Sequence, residues 1–390
     1  MAGQQANRGS TTMQRYRTPE RFYSLDALRG LAAVIVVLFH YRNLLVVQGK
    51  LPPDFDPSAL PLYGALRLVY ERGWLAVDFF FVLSGFVFFW LYAQRIHDRK
   101  ISFGSFVKIR LARLYPLHIA TLFAVACGQA VVSAMSQGVD YFSYSTNTPY
   151  YFTLQVLFIS AWGFGSPYSF NGPVWSVSVE IFLYLVFFLM ALVRPPRLII
   201  AILVVTVGFV GMWKFGSLLG RGLLAFFAGA AVYIIYSKCI DSARCGLYAS
   251  FSRLACVAVW LMVAVLWASS DLNRMVPARI APVLMAAVVF PVTVLAFALH
   301  ESRGRSILRP MAVLGDMSYS VYLLHFPLQL GMYIVLTWAG IERTVVYSGA
   351  FLLAFFALLL PLSLLSYRFF EKPLQDMIRS GFVRPSGQAA

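Results

Sequence analysis

The stretch Ser24-Leu-Asp26-Ala-Leu-Arg29-Gly-Leu-Ala-Ala-Val-Ile-Val-Val-Leu-Phe-His40 places three ionisable side chains on an apolar run that predicts a membrane-spanning helix. A helix turns by about 100° per residue, so His40 returns to within about 20° of the direction of Arg29. Asp26 precedes Arg29 by three residues and projects toward nearly the same stripe. Because an ionisable residue inside a membrane is costly, such a stripe indicates a functional site by default.

Two interpretations of this stripe are open from the residues alone. In the chemical one, His40 is a general base, since imidazole titrates near neutral pH, and the Asp26–Arg29 end binds an anion or anchors the helix. In the structural one, His40 is hydrogen-bonded to a neighbouring helix and Arg29 reaches to the interface.

Apolar runs recur along most of the chain, in which 60% of the 390 residues are hydrophobic and 12% are charged. We therefore predict an all-α polytopic membrane protein with about ten transmembrane helices. The predicted spans are 27–48, 74–94, 113–135, 174–193, 198–213, 218–237, 247–269, 280–300, 317–338 and 345–368. The stretch 151–163 is too short and too polar at its ends to span, which favours a re-entrant or interfacial helix.

The distribution of Lys and Arg predicts the orientation of these spans. Basic residues concentrate in the N-terminal tail, the even-numbered loops and the C-terminal tail, whereas the odd-numbered loops carry fewer and hold several acidic residues. The positive-inside rule then places both termini in the cytoplasm. The net charge of +16 is mainly this orientation signal, and because it is scattered through short loops we expect no nucleic-acid partner.

The chain is predicted to form one membrane domain, 23–370, between a basic cytoplasmic tail, 1–22, and a short cytoplasmic C-terminal tail, 371–390. That second tail is too short to bury a core of its own. The four cysteines have no paired spacing, so we expect free thiols, no disulfide framework and no metal site.

Two further motifs place polar residues inside spans. Val77-Asp78-Phe-Phe-Phe-Val-Leu-Ser84-Gly85-Phe86 carries a Ser-Gly pair, for which close helix packing is the simpler interpretation. Asn171-Gly-Pro-Val-Trp175-Ser176-Val-Ser178-Val-Glu180 opens the fourth span from the outer side. Glu180 falls deep in that span, where a carboxylate needs a partner, so a functional role is favoured; Trp175 is typical of an interface anchor.

Basic and histidine residues form two more candidates. Lys108, Arg110 and Arg113 lie at one predicted cytoplasmic helix end, either as plain positive-inside charge or as a clamp for phosphates. The segment Ser318-Tyr319-Ser-Val-Tyr322-Leu-Leu-His325-Phe-Pro places a second histidine in the ninth span. A structural hydrogen bond and a chemical role are both compatible with it.

Taken together, these segments resemble the acyltransferase-3 family of bacterial membrane acyltransferases. The family's marker is a basic residue, ten further residues and a histidine in the first span, which Arg29 and His40 match with Asp26 at the preceding position. The other matching segments, in the family's order, are Phe79-Phe-Phe-Val-Leu-Ser-Gly-Phe86, Arg110-Leu-Ala-Arg113-Leu-Tyr-Pro, Trp175-Ser-Val-Ser-Val-Glu180 and Tyr322-Leu-Leu-His325-Phe-Pro.

The resemblance implies a ten-span protein of the bacterial cytoplasmic (inner) membrane that takes an acyl group, usually acetyl, from cytoplasmic acetyl-CoA. The acceptor is a hydroxyl of an extracytoplasmic or lipid-linked carbohydrate such as O-antigen, exopolysaccharide or lipo-oligosaccharide. Some members carry a C-terminal esterase-like domain; we expect the stand-alone membrane form. Acyl-CoA, the carbohydrate or glycolipid acceptor and the bilayer are the implied partners, and a homo-oligomer is compatible with the sequence.

On this hypothesis the site residues take three roles. The predicted catalytic residues are His40, Glu180 and Asp26. The predicted CoA-binding residues are Arg29, Lys108, Arg110 and Arg113. The predicted substrate-binding residues are Ser84, Trp175, Tyr322 and His325, and no metal is expected. His40 would take the proton of the acceptor hydroxyl for direct attack on the thioester, because no Ser or Cys has a base at recognisable spacing. Glu180 would orient His40 or bind acceptor hydroxyls.

Two rival hypotheses stay open. One is a proton-coupled transporter or flippase in which His40, Glu180 and His325 form a relay. The other is an enzyme that O-acylates a small natural product on the inner side.

Overall fold

The computed structural model describes residues 16–46, 48–136, 138, 141–193, 197–268, 280–304, 306 and 308–380. Residues 1–15 of the predicted N-terminal tail and 381–390 of the predicted C-terminal tail lie outside them. Among the described residues, ten helical spans are long and apolar enough to cross a membrane, which confirms the predicted fold class. In chain order they are Tyr23–Leu45, Tyr63–His97, Phe103–Met135, Gly172–Val193, Leu198–Phe215, Leu218–Asp241, Cys245–Trp267, Ile280–Glu301, Ser318–Trp338 and Gly349–Ile378.

Several spans are built from more than one helical segment. The α-helices of the composite spans are Tyr23–His40 in the first, Tyr63–Arg72, Ala76–Phe88 and Gln94–His97 in the second, Trp175–Val193 in the fourth, Ile280–Leu284 and Phe290–Glu301 in the eighth, and Gly349–Ser366 and Lys372–Ser380 in the tenth. π-helical turns join the segments at Phe89–Ala93, Met285–Val289 and Tyr367–Glu371. Short helices outside the spans are Pro149–Val156 and Ala312–Asp316.

Three helices extend beyond the apolar stretches predicted from sequence. The third span begins at Phe103, because the Ser102 hydroxyl accepts the amide N–H of Ser105 and caps a basic first segment that continues into the membrane. The second begins at Tyr63, well before the predicted start of that span at residue 74. The tenth continues to Ser380, so the predicted domain boundary at residue 370 falls inside helical structure.

The segment 141–171 contains the short helix that does not span. It joins the third span to the fourth, and its helix, Pro149–Val156, has only eight residues and starts two residues earlier than predicted. The Gln155 side chain is fully buried and donates to the Ser169 carbonyl, while the Gln155 carbonyl lies 2.9 Å from His118 Nε2. The Gln155 side-chain amide and the Gln155 backbone carbonyl are thus both bonded inside the protein, which helps a short non-spanning helix to pack against the spans.

Glycines bring the second and sixth spans into direct backbone contact. A Cβ atom on Gly85 would lie 1.8 Å from the Phe226 carbonyl oxygen, and one on Gly229 would lie 1.9 Å from the Val82 carbonyl oxygen. The packing role predicted for the Ser-Gly pair therefore holds for Gly85. This contact turns the opposite face of the second span toward the fourth.

Candidate functional site

A cavity lies between the first, second, third, fourth and ninth spans and encloses about 910 Å³ of empty space, including its open mouth. Seven of the eleven predicted site residues line it, although they come from five different spans. These seven are Asp26, Arg29, Ser84, Arg110, Arg113, Glu180 and Tyr322. Apolar side chains, among them Leu83, Val87 and Phe88, form much of the remaining wall.

The Asp26–Arg29 end of the cavity is held by a network of charges. Arg29 donates to the Gly315 carbonyl at 2.8 Å and pairs with Asp26 at 3.1 Å. Arg21 bridges Asp26 and Asp316, at 2.6 Å to each. Asp26 is thus enclosed by two guanidinium groups and positions Arg29; its predicted catalytic role stays a prediction.

The backbone next to this network is equally constrained. A Cβ atom on Gly315 would lie 2.1 Å from the Asp26 carbonyl oxygen, so the first span crosses the 312–316 helix without room for a side chain. The Glu301 carboxylate accepts the amide N–H groups of Tyr23 and Ser24, at 2.8 and 2.9 Å, at the positive end of the first helix. Arg29 is consequently fixed both in depth and in direction.

Arg110 is the most enclosed of the arginines in the cavity, with 7% of its surface exposed. Its guanidinium lies 4.7 Å from the ring centroids of both Phe88 and Tyr92, and it donates to the Tyr92 hydroxyl. In the part of the chain that the structure describes, Arg110 Nε has no hydrogen-bond partner and no carboxylate lies within ion-pair distance. A buried cation without a counter-charge is costly, which favours an anionic ligand here. Lys108, by contrast, is exposed and does not line the cavity.

Glu180 accepts two hydrogen bonds in the middle of the cavity wall. Ser84 Oγ donates to Glu180 Oε1 at 2.9 Å, and the Tyr184 hydroxyl donates to the same oxygen at 2.6 Å. No base for a serine is recognisable from sequence spacing, and the fold supplies a carboxylate within hydrogen-bond distance of Ser84 by joining residues that lie 96 positions apart. The sequence analysis offered two roles for Glu180, orienting His40 or binding acceptor hydroxyls. Neither of the two observed hydrogen bonds involves His40.

His40 is absent from the residues that line this cavity, and it pairs instead with His325. The two imidazole rings are stacked, with centroids 5.2 Å apart and an interplanar angle of 23°. His325 Nδ1 donates to the Tyr322 carbonyl at 2.6 Å, so the proton of the neutral ring is on Nδ1 and Nε2 is the basic nitrogen. Within the described residues, that Nε2 atom and His40 Nδ1 are buried without a hydrogen-bond partner.

Tyr322 belongs to the cavity lining and also contacts the histidine pair. Its ring lines the cavity and lies 6.0 Å from the His325 ring and 5.9 Å from the Phe80 ring. Its hydroxyl is held by Ser176 Oγ at 2.7 Å and by the Pro173 carbonyl at 2.9 Å. The polar stripe of the first span therefore serves two places: Arg29 lines the cavity, and His40 stacks on His325 outside that lining.

Trp175 is absent from the lining of this cavity, and its predicted substrate-binding role stays a prediction. The guanidinium of Arg221 sits 5.5 Å from its ring and 4.7 Å from that of Trp74. Arg221 is also ion-paired at 2.7 Å with Asp78, which is fully buried. This cluster ties the second, fourth and sixth spans together, and its basic member, Arg221, was not among the residues singled out in the sequence.

Tyr184 is a site residue that the sequence analysis missed. It lies one helical turn after Glu180, a spacing that puts both side chains on one face and that could have revealed it. Over the described ranges, no group of three or more His, Cys, Asp or Glu residues could hold a metal ion.

Comparison with known proteins gives one family and two relatives. The family model described as an acyltransferase domain (Acyl_transf_3) matches residues 22–368. The chain is similar to "Putative membrane-bound transacylase BcsY" of Komagataeibacter xylinus, with 25% identity over 380 residues that cover 89% of this chain and 81% of the relative. It is also 37% identical over 108 residues to "Protein 2 in picA locus" of Rhizobium radiobacter, a match that covers 28% of this chain and 46% of that protein. No solved structure matches the chain.

Proposed function

Since this chain belongs to the acyltransferase-3 family of membrane acyltransferases, we propose that it moves an acyl group, acetyl in the first instance, from cytoplasmic acyl-CoA to a carbohydrate hydroxyl. The acceptor would be extracytoplasmic or lipid-linked, and the membrane would be the bacterial cytoplasmic membrane. The family and the ten spans establish the coarser statement, a multi-pass membrane acyltransferase.

The observation that carries the proposal is the buried Arg110, which has no ion-pair partner among the described residues, in a cavity that Arg29 and Arg113 also line. The nucleotide end of CoA is polyanionic, and guanidinium groups bind phosphates through strong charge-assisted hydrogen bonds. The apolar walls suit the slender pantetheine arm. The charge distribution of the loops supports a cytoplasmic mouth, because the arginines lie at the predicted inner end.

The histidine pair is the proposed base for the acceptor. His325 Nε2 and His40 Nδ1 are imidazole nitrogens that have no hydrogen-bond partner in the described structure. A proton acceptor in catalysis requires such a nitrogen. We assign proton removal from the acceptor hydroxyl to His40, with His325 stacked against it as the second member of the pair. The acceptor would then approach the histidine pair.

The unfolding midpoint, Tm, of the purified protein in detergent tests the donor site. A ligand that binds the folded state raises Tm, so we expect a larger rise with CoA than with pantetheine, which lacks the phosphates. Arg110→Met keeps an apolar stem among the aromatic rings and removes the charge, so it should abolish most of the CoA-induced rise. Arg244→Met, at an exposed position, is the matched control. A wild-type Tm that CoA leaves unchanged would contradict the donor site.

The acceptor class requires a separate measurement. Labelled acetyl-CoA is supplied with candidate polysaccharides, lipid-linked oligosaccharides and small hydrophobic alcohols, and the product that carries label is identified. Label on carbohydrate supports the proposal, whereas label on a small natural product alone would replace the acceptor in it.

A further inference from the structure

Ser84, Glu180 and Tyr184 form a hydrogen-bonded row on the wall of the arginine-lined cavity. We propose that Ser84 is a nucleophile that carries the acyl group as a covalent ester, with Glu180 as its general base and Tyr184 as a positioning residue. This inference rests on the proposed function, because it takes the acyl thioester in that cavity as its substrate.

The row has the geometry of an activated nucleophile. Ser84 Oγ is 2.9 Å from Glu180 Oε1, within the range over which a base removes the proton of an attacking hydroxyl. The Tyr184 hydroxyl bonds the same carboxylate at 2.6 Å, so the base is itself oriented by a third group. Ser84 and Glu180 both line the cavity, so a thioester within it can reach them.

Packing on both sides holds the row in place. Gly85, the residue after Ser84, contacts the sixth span so closely that Ser84 cannot turn toward that span without moving the backbone. Phe88, one turn further along the same helix, stacks on the Tyr184 ring with centroids 4.5 Å apart. The second span therefore carries both the proposed nucleophile, Ser84, and the ring of Phe88. That ring packs on Tyr184, the residue that positions the general base.

The chemical step balances without any further reactant. Ser84 Oγ attacks the thioester carbonyl carbon while its proton passes to the Glu180 carboxylate. The C–S bond breaks, Glu180 returns the proton to the thiolate sulphur, and CoA leaves as the free thiol. An acceptor hydroxyl then attacks the Ser84 ester while its proton passes to His40, and the bond from the carbonyl carbon to Oγ breaks. Ser84 Oγ takes up a proton from solvent and His40 releases its proton to solvent, so no net proton is gained or lost.

The separation of the two bases also supports two half-reactions. Glu180 lies in the arginine-lined cavity, whereas His40 stacks on His325 outside that lining. A single direct transfer has one hydroxyl to deprotonate and needs one base. A covalent intermediate has two hydroxyls to deprotonate in turn, first that of Ser84 and then that of the acceptor, and the structure contains a base for each.

The test is exchange of label between free CoA and acetyl-CoA in the absence of any acceptor. Only an enzyme that releases CoA while keeping the acyl group can move labelled CoA into the acetyl-CoA pool. We expect exchange by the wild-type protein and a loss of about 10³-fold or more in Ser84→Ala, as when a nucleophile that acts together with its base is removed. Ser252→Ala is the matched control, since Ser252 is a buried serine of the seventh span that is absent from the cavity lining and has its hydroxyl bonded to the Ala249 carbonyl; it should still exchange.

Two further variants separate the roles. Ser84→Cys should carry the acyl group as a thioester that neutral hydroxylamine releases, detected by intact-protein mass spectrometry after acid quenching. Tyr184→Phe removes only the bond to Glu180, so it should lower the kcat of exchange and leave KM for acetyl-CoA unchanged. A purely structural role for Tyr184 would change Tm without that split.

Each outcome decides between the proposals. Exchange at the wild-type rate by a Ser84→Ala protein that keeps its CoA-induced rise in Tm would overturn the inference. Transfer to acceptor by the wild-type protein without any exchange would also overturn it, and the proposed function would stand with direct transfer. If the protein neither binds CoA nor transfers an acyl group, both the proposed function and the Ser84 intermediate would be wrong.

Discussion

The arginine-lined cavity and the histidine pair use buried polar groups in opposite ways. In the cavity, Asp26, Arg29 and Glu180 are each held by at least two hydrogen-bonding or charged partners. In the pair, His40 and His325 stack on each other, and each keeps a buried ring nitrogen without a partner in the described structure. Charged groups that are fixed by several partners can bind a ligand in one orientation. An imidazole nitrogen without a hydrogen-bond partner can accept a proton. The difference divides the proposed reaction between the two places.

Removing His40 should have the largest effect, because it should abolish proton transfer at the histidine pair and leave binding in the cavity intact. His40→Ala should lower transfer to the acceptor by about 10³-fold, within the range lost with a general base, while the CoA-induced rise in Tm is retained. Transfer of labelled acetyl and Tm are measured on the same preparation. His97→Ala, at the predicted cytoplasmic end of the second span, is the matched control. Near-normal transfer by His40→Ala would remove the assigned base.

A methyl group at the contact between the second and sixth spans should destabilise the protein and leave the chemistry of the histidine pair untouched. Gly85→Ala would place a Cβ atom 1.8 Å from the Phe226 carbonyl, so the second and sixth spans must separate. Overpacking costs about 1–3 kcal/mol, and backbone contact puts this case at the upper end. Tm in detergent measures it. Gly64→Ala has nothing within 4 Å of the new atom and should leave Tm unchanged; equal Tm values would contradict the packing.

The second histidine tests whether the pair acts as a unit. His325→Asn should lower kcat for transfer by about 10-fold to 100-fold, since His40 remains and loses only its stacked neighbour. Label exchange without acceptor should be unaffected, because that half-reaction uses Glu180. A parallel loss of exchange and transfer would mean that the two places are not separate.

The spans and the cavity's basic end were predictable because their signals are local. Apolarity over about 20 residues marks a span, and Arg110 and Arg113 share a face by helix periodicity. Gly85 was predictable as a packing residue for the same reason. Small residues at helix contacts follow from sterics alone.

Contacts between spans were not predictable, because no local pattern says which faces meet. The bond from Ser84 to Glu180 joins two spans, so sequence spacing could not reveal a base for this serine. The stack of His40 on His325 likewise depends on how the first and ninth spans pack. Two side chains on one helical stripe point in the same direction but can lie far apart along the helix axis. His40 lies about 16 Å along the helix from Arg29, so one cavity need not reach both.

The smallest expected effect sharpens the role of the cavity as a place for binding. Arg113→Ala should raise KM for acyl-CoA by about 10-fold, or about 1.4 kcal/mol, and lower kcat less, because a phosphate contact is equal in the ground and transition states. Steady-state transfer at varied acyl-CoA concentration gives both constants, and Arg244→Ala is the control for loss of one exposed positive charge. An unchanged KM would mean that Arg113 only contributes to the positive charge of the cytoplasmic side and does not bind acyl-CoA. A fall in kcat as large as the rise in KM would instead place it at the reacting carbonyl, beside Ser84.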